Sequence, residues 1–204
     1  MDNSAFEELF AGAPLMAILR GMGVERSLAV STTAWDLGID VVELPIQSEE
    51  DVEALRVVAR AGRERGKIVG AGTVLSLDHV AQAADAGAAF TVSPGLDLEI
   101  VRASHDAGLP ALPGVATPTE ITLALGAGLT WLKAFPASVL GTPWLTAMQG
   151  PFPHARFVTT GGMSAANAGD YLAAGARVVA VGSALEDPEQ LPRLAALLDP
   201  TRRA

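Results

Sequence analysis

The chain has 204 residues, half of them apolar, and carries a net charge of −9 at pH 7. This length and apolar content are enough for one large core and exclude a disordered chain. The acidic charge argues against nucleic acids and anionic membranes as partners, and the lack of cysteine excludes disulfides and thiolate metal sites. Because the chain has neither a long apolar run nor a signal-peptide pattern at residues 1–10, we expect a cytoplasmic protein.

A repeating unit runs along the chain. In residues 86–95, 107–116 and 127–137, Ala-Gly is followed by a short apolar run. Glycine is the preferred residue just after a helix, and runs that are apolar on both faces are typical of buried parallel strands. The repeat therefore predicts helices alternating with parallel strands.

In chain order, the predicted strands span residues 15–20, 40–46, 67–73, 88–93, 109–115, 130–135, 156–160 and 177–182. The predicted helices lie near residues 24–37, 49–65, 76–86, 97–107, 118–127, 141–149, 164–174 and 188–199. Eight such units predict an α/β fold, a single (β/α)8 TIM-barrel domain over residues 1–204. The alternative is a doubly wound open sheet, but no G-x-G-x-x-G motif follows the first strand.

Two charged residues lie within predicted strands. Lys133 is one of two lysines in the chain and lies in the sixth strand, where side-chain alternation puts it on the face of Trp131 and Phe135. Glu43 lies in the second strand, on the face of Val41. Each stands shortly before its strand ends, so we expect both side chains to point into the barrel near the end where active sites lie.

Two interpretations of this pair are open. A buried ion pair is one, although such pairs often fail to offset the free energy of desolvation. The other is a Schiff-base lysine, because burial lowers the pKa of a lysine from about 10.4 and frees the amine to attack a ketone. Glu43 is then the general acid/base, and Trp131 and Phe135 form a hydrophobic wall around the amine.

Glycine-containing segments follow the seventh and eighth predicted strands, at Thr160-Gly161-Gly162 and Gly182-Ser183. Barrels commonly bind phosphate at these two strands through backbone N–H groups, so the pattern predicts an anion site. The alternative is that the glycines only form tight turns.

Arg20 and Thr73 end the first and third predicted strands. Arg20 is expected to add positive charge to the anion site, unless it is a surface residue at the barrel mouth. Thr73 is expected to hydrogen-bond a substrate carboxylate, unless it caps the next helix.

The three histidines, His79, His105 and His154, fall in two predicted helices and a loop, without metal-ligand spacing. We therefore expect no metal and no other cofactor.

Eight segments, one for each predicted strand, together resemble a known family. They are AILRG (17–21), VVELPIQS (41–48), VGAGTVL (69–75), FTVSPG (90–95), LPGVATPTE (112–120), LKAFPAS (132–138), TTGGM (159–163) and AVGSAL (180–185). The chain resembles the class I KDPG aldolases, a family that includes 4-hydroxy-2-oxoglutarate aldolase and the 2-dehydro-3-deoxy-6-phosphogalactonate aldolases.

The resemblance implies a Schiff-base aldolase with Lys133 as the nucleophile and Glu43 as the general acid/base. The implied reaction cleaves a 2-keto-3-deoxy-6-phospho sugar acid to pyruvate and glyceraldehyde 3-phosphate, and extends to cleavage of 4-hydroxy-2-oxoglutarate to pyruvate and glyoxylate. It further implies substrate contacts by Arg20, Thr73, Gly162, Gly182 and Ser183, a homotrimer and no metal cofactor.

The segment after Glu43 leaves the stereochemistry at C4 of the substrate open. Gluconate-type members often have T-L-R there, whereas Leu44 to Ser48 resemble the galactonate-type E-I-P-L-N-S with Gln47 in place of asparagine. The segments PGVATPTEI and VSPG resemble the gluconate type instead.

Two other functions stay open at this stage. A phosphosugar epimerase or isomerase on the same barrel needs no buried lysine, and a non-catalytic phosphosugar-binding barrel needs neither Lys133 nor Glu43. Trp144 and Phe152 are candidates for exposed residues near the barrel mouth, which would offer indirect support for the trimer. The alternative is that they pack on the sixth predicted helix or shape the pocket.

Overall fold

Parallel strands form the wall of a barrel in the computed structural model, which describes residues 2–11 and 14–198. The nine strands of this described part are β1 (Leu15–Ile18), β2 (Val41–Pro45), β3 (Ile68–Gly72), β4 (Thr91–Val92), β5 (Ala111–Leu112), β6 (Gly114–Val115), β7 (Trp131–Ala134), β8 (Arg156–Thr159) and β9 (Val178–Val181). Their order is β5-β4-β3-β2-β1-β9-β8-β7-β6, and every pair is parallel.

Pro113 divides the fifth predicted strand into β5 and β6. Its first part pairs with β4 through Thr91 and Ala111, and its second part pairs with β7 through Gly114 and Lys133. Because β5 and β6 stand at the two ends of the strand order and are consecutive parts of one predicted strand, the sheet forms a nearly closed barrel. The TIM-barrel prediction is confirmed, and the open-sheet alternative is wrong.

Helices alternate with the strands and pack around them. They are α1 (Ala5–Leu9), α2 (Gly23–Leu37), α3 (Glu49–Glu64), α4 (Leu77–Asp85), α5 (Leu98–Asp106), α6 (Pro118–Gly126), α7 (Ala137–Gln149), α8 (Ala168–Ala173) and α9 (Leu191–Leu198), with a 3₁₀ helix at Ser183–Glu186. Several helices begin at a side-chain cap. The Ser48 side chain accepts a hydrogen bond from the backbone N–H of Asp51 at the start of α3, and Thr117 and Glu120 form a capping box at the start of α6. These caps explain why the starts of α3 and α6 were predictable.

The prediction missed α1, a helix too short to show a helical period. It closes the amino-terminal end of the barrel, where Phe6 and Phe10 join an interior cluster that includes Val41, Phe90 and Trp131. The larger apolar cluster lies between the strands and the outer helices.

Several predicted boundaries were wrong. The α7 helix begins at Ala137 rather than at residue 141 and is kinked at Gly141, whose φ is 76°. The α8 and α9 helices begin at Ala168 and Leu191, later than predicted, and residue 199 of the last predicted helix lies outside the described residues. The strands are shorter than their apolar runs, since apolar residues continue beyond the last paired residue.

Trp144 and Phe152 are not exposed, so they do not offer the support for a trimer that exposure would have given. Both are partly buried against the outer core. The indole N–H of Trp144 donates to the carbonyl of Ala116 at 3.1 Å, and its ring meets that of Phe157 edge-on at 5.4 Å.

Candidate active site

A cavity of about 620 Å³ opens at the carboxyl ends of the strands. Its lining contains every residue that the sequence predicted for the site except Glu43: Arg20, Thr73, Lys133, Gly162, Gly182 and Ser183. Ile18, Phe135 and Thr160 also line it. The fold therefore brings residues that are distant in sequence together at the carboxyl-terminal end of the barrel, called the mouth below.

A larger cavity of about 900 Å³ lies at the opposite end of the barrel, lined in part by Glu7, Trp131 and Arg156. Glu7 and Arg156 form an ion pair there. None of the site residues predicted from the sequence lines it. We therefore assign the candidate active site to the smaller cavity, which lies where barrel active sites occur.

The carboxylate of Glu43 is buried inside the barrel. The residue is 1% exposed, and neither carboxylate oxygen has a hydrogen-bond partner among the described residues. Its Oε1 occupies the space that a Cβ atom on Gly72 would need, so the missing side chain on β3 makes room for it. Burial raises the pKa of Glu43, while the positive charges of Lys133 and Arg20 oppose that rise.

The amine of Lys133 is also buried, and the residue is 4% exposed. Its Nζ lies 4.8 Å from the centre of the Phe135 ring, which supplies an apolar wall on one side. Burial lowers the pKa of Lys133, the charge of Glu43 opposes this, and the charge of Arg20 adds to it. The environment therefore increases the fraction of neutral amine, which is the nucleophilic form, above that of an exposed lysine.

Lys133 and Glu43 do not form the buried ion pair that was one interpretation of the sequence. No ion pair or side-chain hydrogen bond involves either residue within the described part of the chain. They are nevertheless close enough for each charge to shift the pKa of the other. The two groups are therefore separate, and each is without a hydrogen-bond or ion-pair partner among the described residues.

Trp131 does not take the place at the amine that the sequence predicted. Its ring packs against Phe6 and Phe10 at the amino-terminal end of the barrel, and its indole N–H donates to Glu7 at 3.1 Å. Of the two aromatic residues predicted as the wall, Phe135 is the one whose ring faces the ammonium of Lys133.

Arg20 lies two residues beyond β1, between β9 and β2. Its Nη1 donates to Oε1 of Gln47 at 2.6 Å, and its Nη2 donates to Oγ1 of Thr73 at 3.4 Å. The guanidinium thus turns toward the ends of β2 and β3. No described carboxylate pairs with it.

Thr73 is not a helix cap, because Ser76 caps α4. Thr73 has a φ of 57°, which is rare and costly for a β-branched residue. It is the one non-glycine residue of the described chain with positive φ. Strain of about 1–3 kcal/mol of this kind is characteristic of functional sites.

On the other side of the mouth, Gly161 and Gly162 follow β8 with φ values of 93° and 77°. A side chain at Gly162 would overlap that of Ser138, so the loop approaches α7 closely. Asn167 fixes the loop by donating to the carbonyl of Gly162 at 3.0 Å. Neither glycine N–H donates to another described residue, which leaves both available to an anion.

Thr160 was predicted only as part of the segment after the seventh strand, without a substrate contact of its own. It is 1% exposed, lines the cavity, and its hydroxyl has no partner among the described residues. Its position between a strand and Gly-Gly was the available signal. Gln47 was noted only as a departure from the family pattern, because its contact with Arg20 joins residues 27 positions apart.

Within the described residues, no three histidine or acidic side chains are placed to hold a metal ion. None of the helices described is both long and apolar enough to cross a membrane.

The sequence pattern of the family described as KDPG and KHG aldolase matches residues 6–195. The chain belongs to this family. It is therefore an aldolase, a lyase that acts on carbon–carbon bonds. The probable 2-dehydro-3-deoxy-6-phosphogalactonate aldolase of Rhizobium meliloti is 36% identical to it over 86% of this chain and 82% of that protein.

Solved structures agree with this assignment. A KDPG aldolase from Legionella pneumophila, with pyruvate captured as a covalent carbinolamine, is 30% identical, has a TM-score of 0.80 and covers 93% of this chain and 94% of its own. A porous protein cage designed by fusing symmetric oligomeric domains is 31% identical, with a TM-score of 0.79, over 91% of this chain and 69% of its own.

Proposed function

We propose that this protein is a class I aldolase in which Lys133 forms a Schiff base with a 2-keto acid and Glu43 transfers the protons. The observation that carries the proposal is a buried, unpaired amine with a lowered pKa beside a buried, unpaired carboxylate, both inside the barrel near the strand ends. The carbinolamine in the relative from Legionella pneumophila supports it.

In the first half of the reaction, the neutral amine of Lys133 attacks C2 of the keto acid and forms a carbinolamine. Glu43 donates a proton to the departing hydroxyl, so that water leaves and a protonated imine forms. The raised pKa of Glu43 suits this step, because its carboxyl keeps a proton to a higher pH than an ordinary glutamate does.

In the second half, the ionised carboxylate of Glu43, directly or through a water molecule, takes the proton of the C4 hydroxyl. The C3–C4 bond breaks, its electron pair moves into the imine, and an aldehyde leaves. The resulting enamine takes a proton at C3, and water hydrolyses the imine to pyruvate and the free amine of Lys133.

The proposed substrates are 2-keto-3-deoxy-6-phospho sugar acids of the gluconate or galactonate type, and 4-hydroxy-2-oxoglutarate, as the names of the family and its relatives suggest. Phosphorylated substrates release glyceraldehyde 3-phosphate, and 4-hydroxy-2-oxoglutarate releases glyoxylate. We place the phosphate against Gly162, Gly182 and Ser183. The free N–H groups of Gly161 and Gly162 support this placement, and phosphate binding then positions C4 against Glu43.

Replacing Lys133 with arginine is the test of this proposal. Arginine keeps the positive charge and most of the volume but cannot form a Schiff base. We expect the cleavage rate of Lys133→Arg to be more than about 1,000-fold lower than that of the wild type, because the variant cannot form the Schiff base. The rate is measured as pyruvate release from both C4 epimers.

The matched variant Lys67→Arg replaces the other lysine, whose Nζ lies 2.5 Å from a carboxylate oxygen of Asp40. Lys67 does not line the cavity, so this variant should keep full activity. Retained cleavage in Lys133→Arg would contradict the proposal. If Lys133→Arg instead retained an isomerase or epimerase activity on a phosphosugar, that activity would replace aldol cleavage as the proposed function.

We also propose a homotrimer located in the cytoplasm, where phosphorylated sugar acids are metabolised. The large exposed apolar side chains of Leu75, Leu77, Leu123 and Val139 support self-association, as does the symmetric cage built from related domains. Sedimentation equilibrium should give three times the chain mass of 20.9 kDa. A monomer at micromolar concentration would contradict the trimer, and recovery in an extracellular fraction would contradict the location.

A further inference from the structure

We propose that Glu186 is a specificity-determining residue beside the proposed phosphate site, and that Arg26 is the positioning residue that holds its carboxylate and offsets its charge. This inference rests on the proposed function, because it concerns the phosphorylated end of that substrate. It assigns the preference for a phosphorylated aldehyde in part to an ion pair that takes no part in the chemistry at Lys133.

The position of Glu186 is the first observation. It lines the same cavity as Gly182 and Ser183. Ser183 and Glu186 are the first and last residues of the 3₁₀ helix that follows β9. Since a 3₁₀ helix has three residues per turn, side chains three positions apart lie one above the other. Glu186 therefore shares a face of this helix with Ser183, beside the place proposed for the phosphate.

The charge of Glu186 is the second observation. A carboxylate and a phosphate are both anions and both hydrogen-bond acceptors, so they repel each other when they are neighbours. A phosphate monoester has a charge of about −1.5 to −2 at pH 7, which makes this repulsion stronger than that between two carboxylates. A carboxylate at this place therefore weakens the binding of a phosphorylated substrate unless a cation offsets its charge.

The partner of Glu186 is the third observation. Nη2 of Arg26, near the start of α2, lies 2.5 Å from Oε1 of Glu186. No other described cation forms an ion pair with this carboxylate. The side chain of Arg26 is 64% exposed and does not line the cavity, whereas that of Glu186 is 27% exposed and does. Arg26 therefore acts on the substrate through Glu186.

A purely stabilising role is a weak explanation for this ion pair. Exposed pairs of this kind usually contribute little to the free energy of unfolding, because water and salt screen them. The pair still sets the charge that a ligand meets at this side of the mouth. With Arg26 in place the two charges nearly cancel, and without it the cavity presents an unopposed carboxylate to the phosphate.

The test is the reverse reaction, in which the enzyme adds pyruvate to glyceraldehyde 3-phosphate or to glyceraldehyde. The two aldehydes differ only in the phosphate, so the ratio of their kcat/KM values measures what the phosphate contributes. We expect Arg26→Gln to lower this ratio about tenfold, mainly through a higher KM for glyceraldehyde 3-phosphate. Glu186→Gln should raise the ratio about threefold, because the charge of Arg26 is then unopposed.

The double variant Arg26→Gln/Glu186→Gln separates an electrostatic effect from a structural one. It lacks both charges, so its ratio should return to within about twofold of the wild-type value. Loss of a structural contact between α2 and the 3₁₀ helix would instead leave the double variant at least as impaired as Arg26→Gln. The difference between Arg26→Gln and wild type should also shrink in about 1 M salt, which screens the charges.

Two further variants are controls. Arg26→Lys keeps the positive charge and should stay near the wild-type ratio. Arg56→Gln breaks an exposed ion pair with Glu53 on α3, and neither of these residues lines the cavity. It should leave the ratio unchanged.

An unchanged ratio in Arg26→Gln, a lowered ratio in Glu186→Gln, or a double variant no better than Arg26→Gln would overturn the inference. An equal loss with both aldehydes would overturn it as well, since the effect would not involve the phosphate. Each of these results leaves the proposed function intact, because the wild type still joins pyruvate to an aldehyde. A wild type that adds pyruvate to neither aldehyde would refute the proposed function itself.

Discussion

The protonation of Lys133 depends on its burial and on two charged neighbours that act in opposite directions. Burial and Arg20 lower its pKa, and Glu43 raises it. Burial has the larger effect, so the amine is free at a lower pH than an exposed lysine would be. The same burial keeps Glu43 protonated to a higher pH. Burial thus shifts the pKa of each group in the direction that suits its proposed role.

Removing the charge of Glu43 should make the amine of Lys133 still easier to deprotonate. The neutral amine increases as pH rises through the pKa of Lys133, and Glu43→Gln lowers that pKa. We therefore expect the pH profile of pyruvate trapping to shift toward lower pH in Glu43→Gln, even though aldol cleavage falls about 100-fold or more with the loss of the acid/base.

The measurement is the initial trapping rate across a series of pH values at saturating pyruvate. Glu99→Gln removes an exposed carboxylate from α5 and should leave the profile unchanged. A shift of the Glu43→Gln profile toward higher pH would mean that the two charges do not interact as the structure indicates.

At the scale of the strands, small residues on β3 determine where Glu43 of β2 can lie. A Cβ atom on Gly72 would overlap the Glu43 carboxylate, and one on Gly70 would overlap the ring of Phe90. The proposed acid/base is thus placed by the absence of a side chain on the next strand.

Gly72→Ala should therefore displace Glu43 and leave the fold largely intact. We expect kcat to fall about 100-fold, the usual effect of a displacement of about 1 Å at a reacting group. Steady-state cleavage and circular dichroism measure activity and fold. Gly126→Ala in α6 adds a methyl group that meets no atom within 4 Å and should change neither. Full activity in Gly72→Ala would show that the position of Glu43 is not critical.

Strands and helices could be predicted where the local pattern is strong. The caps at Ser48 and Thr117 mark helix starts in the sequence, and the apolar runs mark strands. The short helix α1 could not be found, because its role is to bring Phe6 to the interior aromatic cluster, a contact with residues more than 80 positions away. The kink of α7 at Gly141 likewise depends on packing around the barrel.

At the scale of the whole molecule, the closed barrel follows from the repeat, and closure brings Lys133 and Glu43 to one interior. Residue type and strand phase were enough to predict that pair. The contacts of Arg20 were not predictable, because the sequence places an arginine at the mouth but does not determine which side its long side chain takes. The hydrogen bonds that Arg20 donates to Gln47 and Thr73 decide that.

Borohydride trapping with pyruvate, followed by intact and peptide mass spectrometry, detects the Schiff base itself. We expect one reduced pyruvyl adduct per chain, on the peptide that contains Lys133 and not on the peptide that contains Lys67. A folded protein that gives no adduct at saturating pyruvate, or an adduct on Lys67 alone, would contradict the Schiff-base mechanism.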